Sequence, residues 1–100
     1  MIYVFDIDGT LFDTPPGNEY EKAEPIESMI ALVNMLYDEG HTIKIFTARG
    51  SSSGINHFEL TKKQLEKFGV QYHELIMGKP SAHYFIDDMS LTPEEFLNVI

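Results

Sequence analysis

No cysteine occurs in the chain, and that absence removes disulfides, zinc-thiolate sites and thiol nucleophiles together. Covalent or metal chemistry must then use oxygen and nitrogen groups. No run of about eighteen apolar residues is present, and the apolar stretch Met1 to Ile7 meets Asp6 and Asp8 before it could serve as a signal-peptide core. A cytoplasmic protein without membrane spans is the expectation. Basic residues are scarce: seven Lys plus Arg face sixteen Asp plus Glu, for a net charge of -9. That balance argues against broad electrostatic binding of nucleic acid or anionic lipid. A small anionic substrate would need locally placed cations, from a metal or a few basic side chains. Internal repeats, low-complexity tracts and linkers are also missing.

What remains is 100 residues with 43% hydrophobic content, the size of one domain spanning 1–100. Met1 to Ile7 reads as a buried central strand that ends in carboxylates. Asp13 to Glu24, with Pro15, Pro16, Gly17 and Asn18, reads as an irregular loop or small flap. Ile26, Met29, Ile30, Val33, Leu36 and Tyr37 recur at helical spacing, with Pro25 suited to the first helical position and Gly40 to the stop. His41 to Thr47 predicts a second strand, followed by a flexible loop from Arg49 to Gly54. A second helix runs through Phe58, Leu65 and Phe68 to Gly69. Val70 to Met77 predicts a third strand, and Ala82 to Ile86 a shorter fourth that runs into Asp87 and Asp88. Thr92-Pro93-Glu94-Glu95 opens a closing helix, with Thr92 as cap and Glu95 completing a capping box.

Strands alternating with helices imply a three-layer, Rossmann-like α/β fold, with a mostly parallel central sheet and helices on both sides. Ligands bind such sheets beyond the carboxyl ends of the strands. The polar residues gather at those ends: Asp6 and Asp8, then Thr47, then Lys79, then Asp87 and Asp88. Four carboxylates converging in a partly desolvated cleft either share protons or hold a cation, and a hard divalent ion such as Mg2+ suits oxygen ligands. Phosphoryl transfer asks for little more than neutralised oxygens, an in-line nucleophile and a proton donor. Asp6 can supply the nucleophilic oxygen and Asp8 the proton for the leaving group. Gly9 lets the chain turn closely past a phosphate, Thr47 offers a hydroxyl and Lys79 a positive charge.

The string Asp6-Ile7-Asp8-Gly9-Thr10-Leu11, followed in order by Thr47, Lys79 and Asp87-Asp88, resembles the phosphatase branch of the haloacid dehalogenase superfamily. The resemblance spans nearly the whole chain. It implies Asp6 as nucleophile and Asp8 as general acid and base. It also implies phosphate contacts from Asp6, Gly9, Thr47, Ala48 and Lys79, and magnesium between Asp6, Asp87 and the backbone carbonyl of Asp8, with Asp88 reaching it indirectly. No stretch is long enough for a cap domain, so a small capless member is implied, its open site accepting bulky substrates or closed by a neighbouring subunit. Monomer and homo-oligomer both remain open. Arg49 is the candidate for reading the substrate beyond its phosphate, against a plain surface arginine, and His57 the candidate for lining the entrance. Asp87 and Asp88 have a plainer reading as a capping pair in a turn. The expected reaction is hydrolysis of a small phosphorylated metabolite, such as a sugar phosphate or nucleotide. The alternatives are a polynucleotide 3'-phosphatase and a non-catalytic module that binds a phosphorylated ligand or partner protein.

Overall fold

The computed structural model describes residues 1–100. Three strands form the central sheet: β1 (Ile2–Phe5), β4 (Thr42–Thr47) and β5 (Glu74–Met77), all parallel in the order β1-β4-β5. Between β1 and β4 come two short strands, β2 (Phe12–Asp13) and β3 (Glu24–Pro25), and then helix α1 (Glu27–Asp38). Helix α2 (Phe58–Lys67) joins β4 to β5, and α3 (Pro93–Val99) closes the chain. This is a Rossmann-like α/β domain with a parallel sheet and no cap. Both helical crossovers step along the sheet in the same direction, so right-handed connections bring α1 and α2 to the same face. Register confirms which face this is. Tyr3 and Phe5 stand beside Ile43 and Ile45, and Phe5, Ile43 and Ile45 share the core with Val33 and Leu36 of α1 and Leu65 of α2. Phe96 of α3 meets the rings of Tyr3 and Phe5. On the opposite face Ile2 and Val4 are 65% and 58% exposed.

Four expectations change. The first strand is not central and buried on both faces: β1 lies at the edge of the sheet, and Ile2 and Val4 face solvent. Pro25 does not open α1; it pairs with Phe12 in the β2-β3 ladder. The N–H of Ile26 then donates to the carbonyl of Leu11, which holds the backbone extended, so the helix begins at Glu27. The pairing also pins both ends of the loop between β2 and β3. The third strand shortens to Glu74–Met77 because His73 ends the ladder with its ring: Ile43 N–H donates to His73 Nδ1 at 3.1 Å. The fourth strand is absent. Ala82 to Ile86 has no ladder partner, and Tyr84, Phe85 and Ile86 are exposed. The chain leaving β5 is held on that side of the sheet by bonds to the end of β4 and the loop after it: Lys79 N–H donates to the carbonyl of Thr47, Ser51 Oγ donates to the carbonyl of Lys79, and the Ser52 and Ser81 hydroxyls meet. β1, at the opposite edge, stays unpaired on its outer side. The capping box of Thr92 and Glu95 forms as expected, with Pro93 in the first turn.

Candidate active site

The turn after β1 is built around one carbonyl. Ile7 C=O accepts from the N–H groups of Thr10, Leu11 and Phe12, while Gly9 N–H returns to Phe12 C=O at 2.8 Å. Gly9 sits at a φ of 85°, left-handed backbone that only glycine adopts without strain. Ile7 is wholly buried in the core, so the residues on either side of it, Asp6 and Asp8, line a cleft of about 320 Å³ beyond the end of β1. The same cleft is lined by Ala48 and Arg49 after β4, by Ser81 after β5, and by Thr14 to Asn18 and Tyr20 of the loop between β2 and β3.

Burial pushes the Asp6 carboxyl above the usual carboxylate range. Lys79 opposes this most strongly, with the Ile7 N–H and Arg49 acting in the same sense and Asp8 against them. Asp6 is thus a desolvated carboxylate whose chief counter-charge is Lys79. Asp8 is held differently. Arg49 Nε donates to Asp8 Oδ2 at 2.9 Å and Nη2 to Oδ1 at 2.8 Å, a two-pronged contact that fixes the carboxylate plane. The Thr14 hydroxyl also donates to Oδ1. Thr47, 1% exposed, ends β4 beside them, with its Oγ1 accepting from Arg49 N–H at 3.2 Å.

Arg49 corrects an expectation. Its side chain is fully buried and faces inward, so it does not reach solution to read a substrate. Besides Asp8 it donates through Nη1 to Gln64 Oε1 at 2.6 Å and to Thr61 Oγ1 at 3.2 Å, and its guanidinium lies 4.6 Å from the Tyr20 ring. Only a paired guanidinium tolerates that depth. The loop behind it needs Gly50, where a Cβ would meet the Ile55 carbonyl oxygen at 2.2 Å. His57 lies beside the mouth rather than in it: its ring stacks edge-on against Tyr20 at 4.9 Å, and it lines a separate hollow with Gly50, Ile55 and Met77.

The four carboxylates do not converge. Asp87 and Asp88 lie exposed in the segment after β5, and no group of three or more His, Asp or Glu side chains is gathered to hold a metal. The reason is the missing fourth strand, which was to carry them to Asp6. Asp87 instead accepts Met89 N–H at 2.8 Å within its own turn. That bond, together with the Asp88 and Ser90 side chains, draws its carboxyl below the usual range. The donor chemistry still suits a hard cation. Asp6 is an oxygen ligand already stripped of much of its water, and a hydrated magnesium ion needs only one or two carboxylates. Asp6, Asp8 and Ala48 therefore line one cleft, with Thr47 buried beside it. Lys79 is within electrostatic reach of Asp6, while its ammonium lies 4.6 Å from the Phe85 ring. Asp87, Asp88 and His57 stand apart. Thr14, Tyr20, Thr61 and Gln64 were missed. Thr61 and Gln64 carried a faint signal, as polar residues three apart on the face of α2 that also presents Leu65.

No family model matches the chain, and a search of curated proteins finds no relative. Among solved structures, the chain resembles a Vibrio cholerae protein at a TM-score of 0.86 and 27% identity, over 95% of this chain and 85% of that one. It also resembles a chain of the Pnkp1/Rnl/Hen1 complex at a TM-score of 0.63 and 21% identity, over 99% of this chain and 34% of that one. A second structure of that assembly, described as an RNA repair complex, gives a TM-score of 0.61 at 21% identity and 31% coverage of its chain. The chain thus spans about a third of those two. These likenesses agree with the fold class drawn from the sheet. No helix is long and apolar enough to cross a membrane.

Proposed function

We propose that this protein is a magnesium-dependent phosphomonoester hydrolase that works through an aspartyl-phosphate on Asp6. The observation that carries the reading is the pair Asp6 and Asp8, flanking a buried Ile7 at the end of β1, with Lys79 as the main counter-charge on a desolvated Asp6. A carboxylate freed of water is a better nucleophile, and a neighbouring cation keeps it ionised. In the first step an Asp6 oxygen attacks phosphorus, and the bond to the leaving oxygen breaks as Asp8 gives that oxygen a proton. In the second, Asp8 takes a proton from water, the water oxygen attacks phosphorus, and the bond to Asp6 breaks to release inorganic phosphate. With Oδ1 taken by Thr14 and Arg49 and Oδ2 by Arg49 alone, Oδ2 keeps an acceptor site for that proton. The backbone at Ala48, the Thr47 hydroxyl and Lys79 hold the phosphoryl oxygens; the Gly9 N–H is spent on Phe12 C=O within the turn.

Asp6 and the Asp8 carbonyl would hold the magnesium ion, and Asp87, with Asp88 behind it, would join them if the segment after β5 moved to the free edge of β1. Bound there, the ion neutralises charge on the phosphoryl oxygens. The substrate class is a small phosphorylated metabolite, since Lys79 is the cation that acts on Asp6 most strongly once Arg49 is paired inward, and the chain as a whole carries -9. A second reading, removal of a phosphate from the 3' end of a polynucleotide, draws its support from the RNA repair setting of two structural neighbours. One screen tests both: the protein is assayed for phosphate release from an aryl phosphate, phosphorylated metabolites and 3'-phosphorylated oligonucleotides. Release is expected with magnesium and not with EDTA, and fastest from a metabolite. An oligonucleotide leading the ranking would favour the second reading, and no release from any compound would end both.

A further inference from the structure

Four of the five N–H donors of Arg49 are accounted for by three acceptors, Asp8, Thr61 and Gln64. Two prongs on Asp8 alone leave a guanidinium free to swing about that contact with its partner. The third and fourth bonds, from Nη1 to α2, remove that freedom. Gln64 is the stronger of the two anchors at 2.6 Å, and its own amide is not free to flip: Nε2 donates to the Tyr20 carbonyl at 2.6 Å, which turns Oε1 toward Arg49. Gln64 is 7% exposed and Thr61 fully buried, so water does not stand in for either acceptor. The Tyr20 ring covers the same guanidinium. A chain of contacts thus runs from the backbone of Tyr20 through Gln64 and Arg49 to Asp8.

We propose that Gln64 is a positioning residue: acting through Arg49, it sets the orientation of the Asp8 carboxylate, a role that rests on the reading of Asp8 as the proton donor. Asp8 acts on the leaving oxygen in the transition state, so loosening it lowers kcat and leaves substrate binding largely alone. The test compares Gln64→Leu, which removes both the acceptor for Arg49 and the donor to Tyr20, with Gln64→Glu, which keeps the acceptor and gives up only the donor, and with Lys63→Ala on the exposed side of α2 as control. Gln64→Leu is expected to lower kcat about tenfold with KM within about threefold, Gln64→Glu to recover part of that loss, and Lys63→Ala to change neither. The Arg49 Nε–H resonance, which needs no catalysis, is expected to shift or broaden in Gln64→Leu and to move back toward the wild-type signal in Gln64→Glu. If the wild type releases no phosphate yet this resonance behaves so, the phosphatase reading fails and the positioning of Arg49 stands. Should Gln64→Leu not fold, Thr61→Val removes the weaker anchor and is expected to move the same resonance with a smaller loss in kcat. An unmoved resonance in folded Gln64→Leu or Thr61→Val, or a folded Gln64→Glu as slow as Gln64→Leu, overturns the proposal.

Discussion

Two carboxylate pairs, Asp6 with Asp8 and Asp87 with Asp88, follow apolar stretches of similar composition, yet the fold treats them in opposite ways. The first pair ends a strand hydrogen-bonded to β4 and straddles a side chain sunk in the core. Burial raises Asp6, and Asp8 is gripped by a buried arginine. The second pair ends a segment with no ladder partner, and Asp87 is drawn down by N–H groups and side chains of its own turn. A carboxylate acquires chemistry from what desolvates and pairs it, which is a tertiary property; the apolar run before it is only a precondition.

The two pairs are expected to differ most in their effect on activity. Asp6→Asn is expected to lower phosphate release by about a thousandfold or more, the scale of losing a nucleophile, and a steady-state assay with an aryl phosphate reads it. Asp87→Asn sharpens the contrast: if the segment after β5 delivers Asp87 to the metal, the magnesium needed for half-maximal rate rises about tenfold or more while the melting temperature holds. An unchanged magnesium requirement would leave Asp87 a turn residue only. Arg49→Met leaves the Asp8 charge without its partner in a half-buried setting. A loss of about 2–3 kcal/mol is expected by urea denaturation, reduced from the fully buried case because Asp8 keeps some contact with water.

The smallest effect concerns stability and pH. The folded Asp6 carboxyl binds its proton more tightly than the unfolded one, so ionising it costs the folded state stability. Below the ordinary carboxylate range both states are protonated and the cost is absent; it grows as pH rises and is complete above the raised value. Asp6→Asn removes it. The variant is therefore expected to melt above the wild type at pH 7 without metal, with the gain fading as the pH falls below the ordinary carboxylate range. A gain equally large at low pH would contradict the raised carboxyl.

Much of this was legible in the sequence where the signal is local. The string from Asp6 to Leu11 announces its turn, because Gly9 meets the positive φ that the turn requires, and the capping box at Thr92 is written within four residues. Arg49 was misread because its acceptors Thr61 and Gln64 lie on the following helix. In a stretch of serines and glycines an arginine reads as a surface residue. Pro25 suits a helix start by propensity, but the partner that overrides it, Phe12, sits across a loop. Tyr84 to Ile86 has the composition of a strand, and composition does not supply the neighbour a strand needs.

Phosphoryl transfer through Asp6 is tested most directly by trapping the phosphorylated protein. Wild-type protein mixed with substrate and magnesium, quenched in acid within one turnover and mapped by mass spectrometry, is expected to bear phosphate on Asp6 and to lose it in Asp6→Asn. Phosphate on another residue, or burst release with no labelled protein, would contradict it.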